Sequence, residues 1–256
     1  MLLAIDVGNT NIHFGLIRDD GVLCCSWRAR TIRDKMSDEY AVLLRSFFEE
    51  KGFTFQHVRA VVMACVVPDL TGTFTALAER YLGHKPLNVN HTVSLGLQIK
   101  VDNPREVGPD RIVNAAAAKS QFGGPAIVID FGTATTYDVI NADGDYIGGV
   151  IAPGITLAQE ALVSRAARLL HVELEPPPRA IGSNTIQAMQ SGLFLGYTSM
   201  IEGLVGRIRA ELQAPQAAVI GTGGLAPVFA EHTELIAHIA PNLTLDGLRI
   251  IWALNV

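Results

Sequence analysis

The chain is short of several things, and each shortage removes a class of protein. It has three cysteines in 256 residues. Cys24 and Cys25 are adjacent, Cys65 stands alone, and no Cys-x-x-Cys pair occurs, so there is no disulfide framework and a reducing, cytoplasmic setting is expected. Charged residues make up only 18 % and the net charge is −5, which argues against a protein that grips DNA or RNA through its phosphates. No apolar run approaches the roughly 18 residues of a membrane span, so no membrane partner is expected. The opening Met1-Leu2-Leu3-Ala4-Ile5-Asp6 puts a carboxylate where a signal peptide needs an apolar stretch. Neither a Walker A sequence nor Gly-x-Gly-x-x-Gly is present. The seven histidines show no metal-ligand spacing.

What is present is a chain able to bury a core. Apolar residues reach 49 %. At roughly 100–200 residues per domain, the length allows one large domain or two small ones. An internal repeat favours two. Residues 2–15 read LLAIDVGNTNIHFG and residues 126–139 read AIVIDFGTATTYDV. At one constant offset, Ile5, Asp6 and Gly8 fall on Ile129, Asp130 and Gly132. Both segments read as strand, tight turn, strand, with an acid at the end of the first strand.

The surroundings repeat as well. A strand-like VLCCSWRAR follows the first hairpin, and Ser37-Asp38-Glu39 opens a helix whose buried face is expected at Val42, Leu43, Phe47 and Phe48. Ala60–Val67 reads as a buried strand closed by Pro68, with a helix to about Leu82. The second copy gives strands at 126–130, 135–141 and 145–152, helices after Gly154 and Asn184, and a strand at 217–220. The order β-β-β-α-β-α, twice, predicts two α/β domains facing each other, each a mixed sheet flanked by helices. The boundary is placed at 118/119, giving domains 1–118 and 119–256.

Several polar clusters can carry chemistry. Gly8 permits a sharp turn, so backbone N–H groups of residues 8–11 can converge on phosphate oxygens, with Asp6 beside them for Mg²⁺ through water. A structural Asx-type turn explains the same residues. Asp130, Gly132, Thr133 and Thr135 would form a second cradle. Gly221-Thr222-Gly223-Gly224 is a third glycine-rich turn, either a nucleotide support or an ordinary strand-to-helix connection. DNPREVGPDR (102–111) reads as the polar stretch between an apolar strand and an Ala-rich helix; Pro109 suits a first helical turn, Asp110 can accept a proton, and Arg111 can bind a carboxylate in a fork. Helix capping with a surface ion pair is the plainer alternative. Asn184 to Gln187 has capping-box character. The helix it opens carries a stripe of small residues, Ala188, Gly192, Gly196, Ser199, Gly203 and Gly206, for a neighbouring helix or a second subunit. His13 reads as a contact residue.

DVGNTN, DNPREVGPDRIVNA, VIDFGTATTYDVI, GGVIAPGI, GSNTIQAMQSG and GTGGL occur in that order. Together they resemble the type III pantothenate kinases, of the acetate/sugar kinase, Hsp70 and actin superfamily, over essentially the whole chain. The resemblance implies two duplicated RNase H-like (actin-like ATPase) domains, each with a mixed five-stranded sheet, and an interdomain cleft. It implies transfer of the ATP γ-phosphate to the terminal hydroxyl of pantothenate, the first step of coenzyme A synthesis, with Mg²⁺ as cofactor. By the same resemblance Asp6, Val7, Gly8, Asn9, Thr10, Asn11, Ile12 and His13 form the ATP phosphate loop, and Thr133 contacts ATP. Gly108, Pro109, Asp110, Arg111 and Thr185 bind pantothenate, with Asp110 as proton acceptor. Asp130 holds a monovalent cation, K⁺ or NH₄⁺, in place of the phosphate or Mg²⁺ role that the repeat suggests. A homodimer is implied. Two positions depart from the family: Pro109 replaces its usual alanine, and Val101 stands where an aromatic residue commonly lies against the substrate. The competing readings are a sugar kinase of the same superfamily and a non-enzymatic Baf-type regulatory protein.

Overall fold

The computed structural model describes residues 1–166 and 168–256. The chain divides into two compact units, Met1–Gln121 with Asn242–Val256, and Phe122–Pro241. Each unit carries a five-stranded mixed sheet flanked by helices.

In the first unit β1 (Leu2–Val7) is central. It pairs antiparallel with β2 (Asn11–Ile17), which pairs antiparallel with β3 (Leu23–Arg30). On its other side β1 runs parallel to β4 (Ala60–Cys65), and β5 (Leu87–Asn88) closes the order β3-β2-β1-β4-β5. A strand covered on both faces must be apolar on both, and β1 is buried at five of its six positions. Leu3, Ile5, Val7, Ile12, Phe14 and Leu16 face one core, shared with α1 (Ser37–Glu50) and α2 (Pro68–Leu77). Leu2, Ala4, Val62 and Ala64 face another, beneath α3 (Pro109–Phe122) and α8 (Leu243–Ala253).

Four sequence expectations for this unit change. The α1 stripe is Tyr40, Ala41, Leu44 and Phe48, with the expected Leu43 and Phe47 half-buried against the same core, whereas Val42 is 64 % exposed. Tyr40 can turn inward because its hydroxyl both donates to the Ile32 carbonyl and accepts from the Ile32 N–H, each at 3.0 Å. The cap of α1 is Met36, whose N–H donates to the Glu39 carboxylate at 2.9 Å, one residue before the expected Ser37. The segment before Asp102 forms only an isolated bridge at Ile99 rather than a strand. Finally α8 belongs to the first sheet. Leu245, Leu248 and Ile251 lie fully buried in its second core. Gly15 makes room for this helix, since a Cβ there would stand 2.8 Å from a Leu245 methyl. The units therefore meet in sequence at 121/122, where α3 ends, and again at 241/242.

The second unit repeats the plan. β6 (Ala126–Phe131) is central, antiparallel to β7 (Ala134–Ile140) and parallel to β9 (Ala218–Gly223). With β8 (Tyr146–Pro153) and β10 (His238–Ile239) the order is β10-β9-β6-β7-β8. Its helices are α4 (Ile155–Arg165), α5 (Thr185–Gln190), α6 (Gly196–Glu211) and the short α7 (Ala226–Ala230). Phe229 stacks on Phe131 at 5.3 Å and on Phe194 at 5.2 Å, pinning α7 and the segment before α6 to the sheet.

Candidate functional site

In the first unit the β1–β2 turn places the candidate phosphate loop. The Gly8 N–H donates to the Asn11 carbonyl at 3.0 Å. A Cβ on Gly8 would stand 2.9 Å from that same oxygen, so a side chain there would open the turn. Thr31, just beyond β3, fastens the loop from outside. Its N–H donates to the Thr10 carbonyl at 2.9 Å and its hydroxyl to the Gly8 carbonyl at 2.7 Å. Nothing in the sequence reading signalled Thr31. Asn9, Thr10 and Asn11 are exposed, while Val7 and Ile12 are fully buried and leave only backbone to a ligand.

Asp6 is the last residue but one of β1, level with His13 on one side and Ala64 on the other. It is half-buried. His13 is 8 % exposed, and burial first, then the charge of Arg28, push its pKa down to about 4. At neutral pH its ring is therefore uncharged, consistent with a contact role and not with charge neutralisation.

Asp110 sits in the first turn of α3, which begins at Pro109 as expected. The Ile112 N–H donates to the Gly108 carbonyl at 3.2 Å, which makes Gly108 the cap. The Arg111 N–H donates to Asp110 Oδ1 at 2.9 Å. A Cβ on Gly108 would lie 2.5 Å from Oδ1, so this carboxylate occupies space that only glycine leaves open. Burial pushes the Asp110 carboxyl above its ordinary range, against the smaller downward pull of the Arg111 N–H and guanidinium. Such a carboxylate is a better proton acceptor once ionised. The preceding loop braces itself, with Asn103 Nδ2 donating to Glu106 Oε1 at 2.6 Å. Val101 is half-buried just before it.

In the second unit Asp130 occupies the position of Asp6, between Thr136 on β7 and Thr222 on β9. The turn after it is one residue shorter. Val7 pairs with Ile12, whereas Phe131 pairs with Thr135. The Gly132 N–H donates to the Ala134 carbonyl at 3.2 Å, and the Gly154 N–H to the Thr133 carbonyl at 3.0 Å. Gly154 is packed so closely that a Cβ would run into the carbonyls of Gly132 and Thr133. Gly223 has φ +87, and a Cβ there would stand 2.9 Å from Asp130 Oδ1 and 2.7 Å from the Phe131 carbonyl. The Asp130 carboxylate is thus walled by backbone that only glycine permits. Thr135 does not join the cradle as the repeat suggested. It is 1 % exposed, and its hydroxyl bonds to the Tyr197 hydroxyl on α6.

Thr185 opens α5 and is exposed. Asn184 caps the helix by accepting from the Gln187 N–H at 2.9 Å, while Gln187 Oε1 accepts from the Ser183 N–H and hydroxyl at 3.1 and 2.9 Å. In the small-residue stripe beyond it Ala188 lies against Gly182, and the four glycines face open space among the described residues. Cβ atoms added at Gly192, Gly196, Gly203 and Gly206 would meet no described atom within 4 Å, so the stripe is not a seat for another helix of this chain.

Each unit thus carries an acid one residue before the end of its central strand followed by a tight glycine turn, and the first adds a half-buried acid at a helix start. Solved structures share the frame. A Campylobacter jejuni protein named for the Baf family of transcriptional activators superposes with TM-score 0.61 at 19 % identity, over 98 % of this chain and 97 % of that one. A Sinorhizobium meliloti protein described as a 2-dehydro-3-deoxygalactonokinase gives TM-score 0.60 at 12 % identity, over 98 % and 96 %. At such identities the likeness speaks for the actin-like ATPase fold alone. The sequence comparisons go further. The family model for type III pantothenate kinase matches residues 2–207. The type III pantothenate kinase of Roseiflexus castenholzii is 51 % identical over 255 residues, covering 100 % of this chain and 99 % of that protein. With the fold, the family match and a full-length relative in agreement, this chain belongs to the type III pantothenate kinase family.

Proposed function

We propose that the chain transfers the γ-phosphate of ATP to the terminal hydroxyl of pantothenate, giving 4′-phosphopantothenate and so opening coenzyme A synthesis. The full-length relative supports the activity. The observation that carries the chemistry is Asp110, a carboxylate of raised pKa held at a helix start by Gly108 and the Arg111 N–H. The pantothenate hydroxyl must lose a proton as it attacks, and Asp110 accepts it. Arg111 beside it binds the substrate carboxylate, with Gly108, Pro109, Thr185 and Val101 completing the pantothenate contacts. The loop from Asp6 to His13 cradles the phosphates through the exposed, short polar side chains of Asn9, Thr10 and Asn11, the Gly8 N–H being spent on the Asn11 carbonyl, and Thr133 adds a contact to ATP. Catalysis is then largely positioning and charge neutralisation.

Two ions go with this reading. Asp6 offers hard carboxylate oxygens beside the phosphate turn, a donor set that fits Mg²⁺ bound through its own waters. Mg²⁺ held there would neutralise phosphate charge. Asp130 fits a K⁺ or NH₄⁺ ion, because its carboxylate oxygen faces a wall at Gly223 that a Cβ would fill. A monovalent cation there offsets the charge of a half-buried carboxylate. The unpacked stripe on α5 and α6 is assigned to a homodimer contact, and a cytoplasmic location goes with the cysteine usage.

An ADP-release assay with pantothenate against a panel of sugars tests the proposal. Release with pantothenate alone is expected. Release with a sugar and none with pantothenate would make the chain a sugar kinase. Silence with every acceptor would favour the Baf-type reading.

A further inference from the structure

The edge strand β3 of the first sheet carries a cation, Arg28, that the roles above leave unused. Across the sheet one row runs Ala64, Asp6, His13, Arg28, each directly opposite the next. Residues opposite each other in a ladder project to the same face, so Asp6, His13 and Arg28 stand side by side. Two strand spacings of about 4.8 Å separate the backbones of Asp6 and Arg28, a gap that an arginine side chain and one phosphate together bridge. The end of β3 that bears Arg28 is fixed to the phosphate turn, because Thr31 bonds both Gly8 and Thr10.

The charge of Arg28 is also unspent. Arg18, Arg59 and Arg80 of this unit each pair with an acid. Arg28 is exposed, and among the described residues no carboxylate pairs with it. Its field reaches the neighbouring ring of His13, which is uncharged at neutral pH and so does not answer it. In a chain of net charge −5, an exposed guanidinium with no carboxylate partner, on a strand end tied to the candidate phosphate turn, calls for an anionic ligand.

We propose that Arg28 is a nucleotide-binding residue, whose guanidinium takes the charge of the ATP phosphates lying on the turn after β1, on the side of Asp6. This deepens the kinase reading and rests on it for the identity of the nucleotide. Arginine suits the place because its planar fork bonds two phosphate oxygens at once, which an ammonium does not.

The test is Arg28→Gln, measured by steady-state kinetics and by calorimetric titration with MgATP in the absence of pantothenate. The KM and Kd for MgATP should rise about tenfold or more, equivalent to about 1.4 kcal/mol. The KM for pantothenate and the Tm should stay within about twofold and 2 °C respectively, as a surface charge that contacts only the nucleotide requires. Arg28→Lys should recover part of the affinity. Raising KCl from about 50 to 300 mM should weaken MgATP binding to the wild type more steeply than to Arg28→Gln. Arg59→Gln, at the opposite end of the sheet, serves as the control and should leave MgATP affinity unchanged. An Arg28→Gln protein that binds MgATP within about twofold of wild type, or that loses pantothenate affinity instead, overturns the proposal. Should the wild type fail to phosphorylate pantothenate while Arg28→Gln still weakens MgATP binding, the substrate reading falls and the role of Arg28 stands.

Discussion

Asp110→Asn separates catalysis from folding with one substitution. Asparagine keeps the size of the side chain and an Oδ1 that accepts the Arg111 N–H, so the 2.9 Å bond at the start of α3 survives. It also fits the space that Gly108 leaves for Oδ1. What disappears is basicity. A positioned general base contributes roughly 10²–10⁴-fold, so turnover with pantothenate should fall by about that factor, or about 2.7–5.5 kcal/mol of barrier. MgATP binding should be nearly unchanged, because the phosphate turn is built from other residues.

Stability should move the other way. The folded-state pKa of Asp110 lies above its ordinary value of 3.8, because burial disfavours the charged form. A group of this kind favours the fold below its unfolded pKa, and that contribution is lost as pH rises through the folded pKa. Above its folded-state pKa the ionised carboxylate therefore weakens the fold, and asparagine relieves it. Asp110→Asn should melt at or above the wild-type temperature at pH 7, with the gain fading in acid. The acid limb of the wild-type pH–rate profile should lie above the usual aspartate range and be missing from the variant. Near-normal turnover combined with lost pantothenate binding would make Asp110 a substrate anchor. A sharply lowered Tm would refute the burial argument.

Gly108→Ala should reduce turnover by about tenfold or more while leaving the KM for MgATP alone, since the new methyl displaces the Asp110 carboxylate; steady-state kinetics checks it. Gly223→Ala puts a side chain at φ +87 and against Phe131 and Asp130, so it should lower the Tm and raise the K⁺ concentration needed for half-maximal activity. Equal wild-type activity in K⁺, Na⁺ and bulky organic-cation buffers would remove the monovalent site altogether. Val101→Tyr should keep turnover within roughly tenfold, about 1.4 kcal/mol, if that side chain only packs against substrate. Light scattering should give a dimer mass, and a 27.5 kDa particle at working concentration would leave the open glycine stripe without its assigned partner.

The sheets were legible because their central strands are covered on both faces and must read as unbroken apolar runs, as residues 2–5 and 126–129 do. The acids ending those strands stood out for the same reason: a carboxylate directly after such a run needs a purpose. Errors arose where side-chain polarity and sequence order mislead. Tyr40 counts as half polar until its hydroxyl is seen bonded to Ile32, and the α1 face turns with it. The final helix follows the second repeat in sequence yet fills a layer of the first sheet. Its stripe of Leu245, Leu248 and Ile251 fits any apolar surface, and the vacancy beside Gly15 is a three-dimensional fact. Thr31 and Tyr197 were invisible for a similar reason, since each acts on a turn distant in sequence.

The two halves show where a repeat stops being informative. Both preserve the acid, the glycine after it and the strand pairing, because those features hold up the fold. The turns themselves diverge by one residue. The longer first turn leaves Asn9, Thr10 and Asn11 exposed and braces itself from behind through Thr31. The shorter second turn is closed over by Gly154, turns Thr135 inward to Tyr197, and sets Asp130 against the backbone of Gly223. The first turn thus presents exposed polar side chains, whereas the second presents a carboxylate set against glycine backbone. One residue in a loop is enough to make that difference, and an offset alignment passes over it.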